Sequence, residues 1–189
     1  IYRPRYILPD YNVYIEKGCK FLELPAPKNL DDVLDGLLIL YSHVPSITTF
    51  PVYIGRLDVL LDPFITDEEQ DYIKIKRFLN HVDKTVPDSF CHANIGPYDT
   101  KAGRLILKAV IELEAPTPNM TIRYDKSKTS REFAELAAKA CLLVSKPSFA
   151  NDAYYISDLG EQYGIASCYN ALPECGGAYT LTRLRLGTI

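Results

Sequence analysis

Cys168 lies in the stretch of the chain whose residue types are best suited to chemistry. The stretch covers 163–173 and reads YGIASCYNALP, with Gly176 and Gly177 shortly after it. It lies between a predicted helix end and a predicted strand, which predicts a loop over about 163–177, and loops on a rigid scaffold often carry reactive residues. A lone cysteine is nevertheless more often a small buried apolar residue than a catalyst. Residue types alone single out Cys168 and leave its role open.

Four further polar residues are candidates for a site. His92 and Asn94 lie near the end of a possible strand, before the Gly96-Pro97 turn signal, where they could contact a substrate or move a proton. A histidine that only bonds a local turn is equally consistent with this position. Asn151 and Asp152 could orient the cysteine loop, although Asn151 could instead cap the helix that follows.

The elements that must position these residues follow from hydrophobic periodicity and turn signals. Apolar residues at three- and four-residue steps predict helices, and capping boxes that begin at Thr66 and Thr129 open two of them. Gly164 is expected to end the last helix. The predicted helices cover 29–43, the segment after Thr66, 103–113, the segment after Thr129, and 152–162. The predicted strands cover 49–55, 90–95, 120–124, a short segment around Phe149, and 179–186. Their alternation predicts an α/β fold with parallel pairing.

Composition narrows the class of protein. The 189 residues suffice for one domain, and the net charge of −3 argues against nucleic acid as a partner. No apolar run approaches the roughly 20 residues of a membrane helix. The five cysteines are scattered without a CxxC pair, which favours a reducing, cytoplasmic setting and no metal site. With no initiator methionine and no closing tail, the chain is expected to be part of a longer protein.

Three segments resemble the glycyl radical enzymes, a family that includes pyruvate formate-lyase and glycerol dehydratase. They read PNMTI at 118–122, PSFAND at 147–152 and YGIASC at 163–168, in the order found in that family. Across the whole chain the likeness is to the YjjI-type branch. The matching segments are RPRY at 3–6, LPDY at 8–11, ILY at 39–41, HVPS at 43–46, PVY at 51–53, HANIGP at 92–97, SCYN at 167–170, TL at 180–181 and RL at 183–184.

The resemblance implies a fold and a reaction. The family has a ten-stranded α/β barrel of two five-stranded halves, with the catalytic cysteine on a finger loop inside it. Residues 1–189 would form a single partial domain, the first half-barrel with its surrounding helices and the finger. Cys168 would become a thiyl radical and abstract hydrogen from a small molecule under anaerobic conditions. No glycine motif like Arg-Val-x-Gly-Tyr occurs here, so the chain alone is expected to be inactive.

The resemblance also implies cofactors and partners. The glycyl radical would lie on the C-terminal part of the complete protein, installed by an activating enzyme that uses S-adenosylmethionine and an iron–sulfur cluster. The fragment itself would bind no cofactor and no metal, and the complete protein would be a homodimer. Exposed half-barrel edges would make the isolated fragment poorly soluble.

Two positions depart from the better-known branches. Ser167 stands where pyruvate formate-lyase has a second cysteine, which argues against an acyl-thioester route. Asn170 stands where the dehydratases have a glutamate, and an amide cannot take a proton near neutral pH. Both remain substrate-pocket candidates together with His92 and Asn94, and the general base must come from elsewhere.

Two alternatives to this function remain open. One is an enzyme like the anaerobic ribonucleotide reductases, and the other is a non-catalytic α/β binding domain.

Overall fold

Parallel strands joined by helices make up most of the chain in a computed structural model. The structure describes residues 6–9, 11–20, 22–48, 51–86, 91–115, 117–161, 163–166, 170–173 and 181–184. The strands are β1 (Tyr6–Pro9), β2 (Val52–Arg56), β3 (Cys91–Ile95), β4 (Asn119–Tyr124), β5 (Ser148–Asn151), β6 (Tyr163–Ala166), β7 (Asn170–Pro173) and β8 (Leu181–Leu184). The helices are α1 (Tyr11–Lys17), α2 (Leu30–Thr48), α3 (Leu57–Leu61), a 3-10 turn (Asp62–Phe64), α4 (Glu68–Thr85), α5 (Lys101–Leu113), α6 (Arg131–Val144) and α7 (Asp152–Leu159).

Six of the described strands form one parallel sheet in the order β5-β4-β3-β2-β1-β8. Strands β1 to β5 are neighbours in chain order, and each crossover between them contains at least one helix. Helices are the usual connections between parallel strands, since such strands need long crossovers. The predicted α/β class with parallel pairing is confirmed, whereas the half-barrel remains a prediction.

The two faces of the sheet differ in chemistry. On β3, Cys91, Ala93 and Ile95 point to one side and join the apolar core under the helices. His92 and Asn94 alternate with them and point to the other side, which we call the inner face. Its buried members on β2, β3 and β4 are polar or aromatic: Tyr53, His92, Asn94, Thr121 and Arg123. The alternation of apolar and polar residues over 120–124 predicts a half-buried strand. In the structure, residues 120–123 are buried on both sides of the sheet instead.

Strands β6 and β7 form a separate antiparallel pair in the region predicted to be a loop. Tyr163 pairs with Pro173 at one end and Ala166 with Asn170 at the other. The prediction of a loop over about 163–177 is therefore wrong for these eight residues, because they bond to each other as strands. Residues 167–169 and 174–180 lie outside the described residues.

Two predicted helix starts are each shifted by one residue. The Asp67 carboxylate, rather than the Thr66 hydroxyl, accepts the amide hydrogen bonds at the start of α4. Ser130, rather than Thr129, caps α6. The Thr129 hydroxyl instead accepts from the Asp125 amide in the preceding turn. Adjacent capping residues compete for one role, and the local turn decides between them.

The expected stop at Gly164 is also wrong. Helix α7 ends at Leu159, because Gly160 adopts a φ of 85° that suits a glycine after a helix. Gly164 lies within β6 instead. Among the helices that the structure describes, none is long and apolar enough to cross a membrane.

Candidate functional site

The hairpin formed by β6 and β7 is bonded to the inner face by the side chain of Asn94. The Asn94 Nδ2 donates to the Ile165 carbonyl at 2.7 Å, and the Ile165 amide donates to Asn94 Oδ1 at 2.8 Å. The Tyr53 hydroxyl donates to the same Oδ1 at 2.9 Å. The carboxamide of Asn94 therefore bonds both backbone groups of one hairpin residue, as a neighbouring strand would.

Arg123 makes a second attachment, at the start of β6. Its guanidinium Nη1 donates to the Tyr163 carbonyl at 3.2 Å, and its Nη2 donates to the Glu161 carbonyl at 3.3 Å. The guanidinium carbon also lies 4.0 Å from the centre of the Tyr163 ring, a cation–π distance. One side chain of β4 thus holds both the backbone and the ring at the entry to the hairpin.

Asp152 completes this attachment from the first residue of α7. Its Oδ1 accepts from Arg123 Nε at 2.7 Å and from the Tyr163 hydroxyl at 2.6 Å. Burial by itself raises the pKa of Asp152, but the hydrogen bonds from Tyr163 and Arg123 outweigh it and hold the pKa below its usual value. Burial and the bond to Asp152 raise the pKa of the Tyr163 hydroxyl, which therefore remains a donor. The result is a buried ion pair whose polar atoms are well supplied with partners.

Tyr53 also limits what can stand at position 164. A side-chain carbon added to Gly164 would overlap the hydroxyl and ring carbons of Tyr53. The hairpin can lie this close to β2 only because Gly164 has no side chain.

Four of the predicted site residues fall into two pairs: two lie outside the described residues and two lie on strands. Cys168 and Ser167 lie outside the described residues. Asn170 begins β7, and its backbone pairs with Ala166. His92 is buried on the inner face within β3, and its carbonyl accepts a hydrogen bond from the Tyr41 hydroxyl at 3.2 Å.

The two loop-orienting candidates have different partners. Asn151 caps α7, since its Oδ1 accepts from the Tyr154 amide at 3.2 Å. Asp152 bonds to Arg123 and to Tyr163 of the hairpin, as described above.

Sequence reasoning missed the hairpin contacts of Tyr53, Arg123, Tyr163 and Gly164. One signal for Arg123 was available, since Thr121 and Arg123 alternate with Met120 and Ile122 along β4. By itself, such alternation predicts a strand with one side facing solvent. In the structure the side is covered, and only a tertiary contact could reveal what covers it.

A further buried carboxyl lies at the end of β2, in α3. Asp58 Oδ2 accepts from the Gly96 amide at 2.9 Å and from the Thr100 hydroxyl at 3.2 Å. Its Oδ1 has no hydrogen-bond partner within the part of the chain that the structure describes. Burial raises the pKa of Asp58 to about 6, despite these hydrogen bonds.

Metal ligation has no support from the described side chains. Among them, no group of three or more histidine, cysteine, aspartate and glutamate residues could hold a metal ion.

Comparison with known proteins assigns the chain to a class and then to a branch of it. The class is the glycyl radical enzymes. The sequence profile of the YjjI-like glycyl radical enzymes matches residues 1–189, and the chain belongs to that family.

Two relatives match the chain over its full length. An uncharacterized protein of Haemophilus influenzae is 93% identical over 189 residues. The uncharacterized protein YjjI of Escherichia coli is 47% identical over 191 residues. The chain spans 37% of the length of each relative.

Proposed function

We propose that the complete protein carrying this chain is a thiyl-radical enzyme in which Cys168 transfers the hydrogen atom. Family membership supports the radical class. The observation that carries the role of Cys168 is the hairpin on the inner face of the sheet. Its two strands are paired up to Ala166 and Asn170, so Cys168 is the middle residue of the three that connect them.

In the proposed step the protein has two tasks: it positions the reacting atoms, and it keeps water and oxygen out of the site. The S–H bond of Cys168 breaks as a C–H bond forms at the glycyl radical carbon, which leaves a thiyl radical. The thiyl sulfur then takes a hydrogen atom from a substrate C–H bond, so S–H re-forms and the radical passes to the substrate carbon. Such chemistry requires close approach of the reacting atoms and a site closed to water and oxygen. A buried, polar inner face beneath a docked hairpin is suited to both requirements.

The residues around Cys168 are proposed to contact a small-molecule substrate. Ser167 and Asn170 flank it in sequence, and His92 is a buried side chain of the inner face. Asn170 can donate and accept hydrogen bonds but cannot act as a base. The reaction therefore needs its proton acceptor, if any, from another residue or from the substrate.

The other components lie outside this chain. The glycyl radical is proposed to reside in the remainder of the complete protein and to be installed by an activating enzyme with S-adenosylmethionine and an iron–sulfur cluster. The complete protein is proposed to work as a homodimer in the cytoplasm, under anaerobic conditions.

Isotope exchange at the glycyl radical tests the role of Cys168 without a known substrate. The α-hydrogen of a glycyl radical splits its electron paramagnetic resonance signal into a doublet. In D₂O the Cys168 thiol becomes S–D, and reversible transfer would place deuterium on the glycine and collapse the doublet. We expect the doublet to collapse in the activated complete protein and to persist in Cys168→Ser, because the O–H bond of a serine hydroxyl is too strong for a glycyl radical to break.

Cys141→Ser is the matched control, since Cys141 is a partly exposed helix residue. It should exchange like the parent protein. Collapse of the doublet in Cys168→Ser at the parental rate would exclude Cys168 as the hydrogen carrier.

A further inference from the structure

The free edge of β6 is bonded by side chains. In an antiparallel pair, alternate residues direct both backbone groups away from the partner strand. Tyr163 and Ile165 are such residues, because the Tyr163 carbonyl accepts from Arg123 and both Ile165 groups bond to Asn94. These backbone groups would otherwise need a third strand as a partner, and side chains of the inner face bond them instead.

Asn94 is the last of these attachments before the connection that contains Cys168. Ile165 precedes Cys168 by three residues, so their Cα atoms can be at most about 10 Å apart, at about 3.3 Å per residue. The Asn94 carboxamide bonds one donor and one acceptor of the same residue, so it fixes the register of β6 against β3. A slip by one residue would reverse the direction of every following side chain.

We propose that Asn94 is a positioning residue for Cys168. The carboxamide of Asn94 acts in place of a neighbouring strand and fixes the hairpin at Ile165. This inference rests on the proposed function of Cys168. It gives Asn94 a role in holding the hairpin, where sequence reasoning had placed it among the substrate contacts. Its three hydrogen bonds to Ile165 and Tyr53 already use the amide oxygen twice and the nitrogen once.

A residue that positions Cys168 controls the rate at which deuterium exchanges into the glycyl radical. Hydrogen-atom transfer depends steeply on the distance between donor and acceptor, and a displacement of about 1 Å can cost about 100-fold in rate. A side chain that merely stabilises the fold would instead lower the yield of folded, radical-bearing protein. It would leave the exchange rate of each radical unchanged.

The experiment compares Asn94→Ala and Asn94→Asp with the parent protein, each as the complete activated polypeptide in D₂O. We expect both variants to carry the glycyl radical, and the doublet of Asn94→Ala to collapse at least about 10-fold more slowly. Asn94→Asp keeps the acceptor for the Ile165 amide but loses the donor to its carbonyl, so its rate should lie between those of Asn94→Ala and the parent. Asn29→Ala is the matched control, since the Asn29 side chain accepts from the Asp32 amide at a solvent-exposed helix start far from the hairpin in sequence.

Each outcome has one meaning. Parental exchange rates in folded Asn94→Ala, or in Asn94→Asp should the alanine variant not fold, would overturn the positioning role and leave that of Cys168 intact. A folded variant that cannot be given the radical would also overturn it, because Asn94 would then act in activation. If the parent protein itself keeps its doublet in D₂O, the proposed function fails first, and the inference fails with it.

Discussion

At the scale of single residues, ionisation of Asp58 opposes folding. Its carboxyl is fully buried, and one oxygen has no partner within the described residues. Its pKa is raised from 3.8 to about 6, so the folded state favours the protonated form. The stability that comes from this protonation is fully present below the unfolded pKa of 3.8. It is lost as the pH rises through about 6.

Asp58→Asn should remove this pH dependence. A difference between 3.8 and about 6 corresponds to about 3 kcal/mol of folding free energy between acid and neutral pH. The asparagine oxygen can still accept from Gly96 and Thr100, so the local bonds survive. Thermal unfolding at pH 4.5 and pH 7.5 is the measurement, and the gain in melting temperature over the parent should be larger at pH 7.5. A gain that is the same at both pH values would contradict the raised pKa.

Individual residues were predictable where their roles are local. The capping of α7 by Asn151 was foreseen as one alternative, because an N-cap depends on a few neighbouring residues. The bond between Asn94 and Ile165 joins residues 71 positions apart, and no local pattern encodes it. The same holds for Arg123 and Tyr163, whose contact spans 40 positions.

At the scale of elements, two aspartate side chains fix the start of α4. Asp67 accepts from the Glu69 and Gln70 amides, while its own amide and that of Thr66 donate to the buried Asp71 carboxylate. Two aspartate carboxylates therefore accept the amide hydrogen bonds at the start of α4, and the cap lies one position later than the predicted capping box.

Asp67→Ala should destabilise the protein by about 1 kcal/mol, because two amides at the helix start lose their acceptor. Thr66→Ala is the control, since only the Thr66 backbone amide takes part in this arrangement. Chemical denaturation of the two variants and the parent measures the difference. Equal losses in both variants would contradict the assignment of Asp67 as the cap.

Long helices and buried strands were predictable because their apolar periods extend over many residues. The pairing of β6 with β7 was not, since the two strands have only four residues each and contain Gly164, Ala166 and Ala171. Short strands of small residues give no strong alternation, and their docking on Asn94 and Arg123 is tertiary.

At the scale of the whole molecule, β5 is the outermost strand on one side of the described sheet. Phe149 on this strand is 37% exposed, beside the ring of Tyr124. An open strand edge with an exposed aromatic residue can pair with another chain. We therefore expect the 189-residue chain, expressed alone, to self-associate.

Phe149→Lys should reduce that self-association, because a charged lysine on an edge strand disfavours strand pairing. Tyr154→Lys makes the same change of charge at an exposed position on α7, outside the strand, and serves as the control. Sedimentation velocity over a range of concentrations gives the association state. A parent chain that stays monomeric throughout would contradict the expectation.

The close approach of Gly164 to Tyr53 has a consequence for how this family can diverge. A lineage that gains a side chain at 164 must give up the ring at 53 or lift the hairpin from the sheet, since both cannot occupy the same space. The two positions should thus change together across relatives, as a small-and-large pair that trades size between a strand and the segment docked on it.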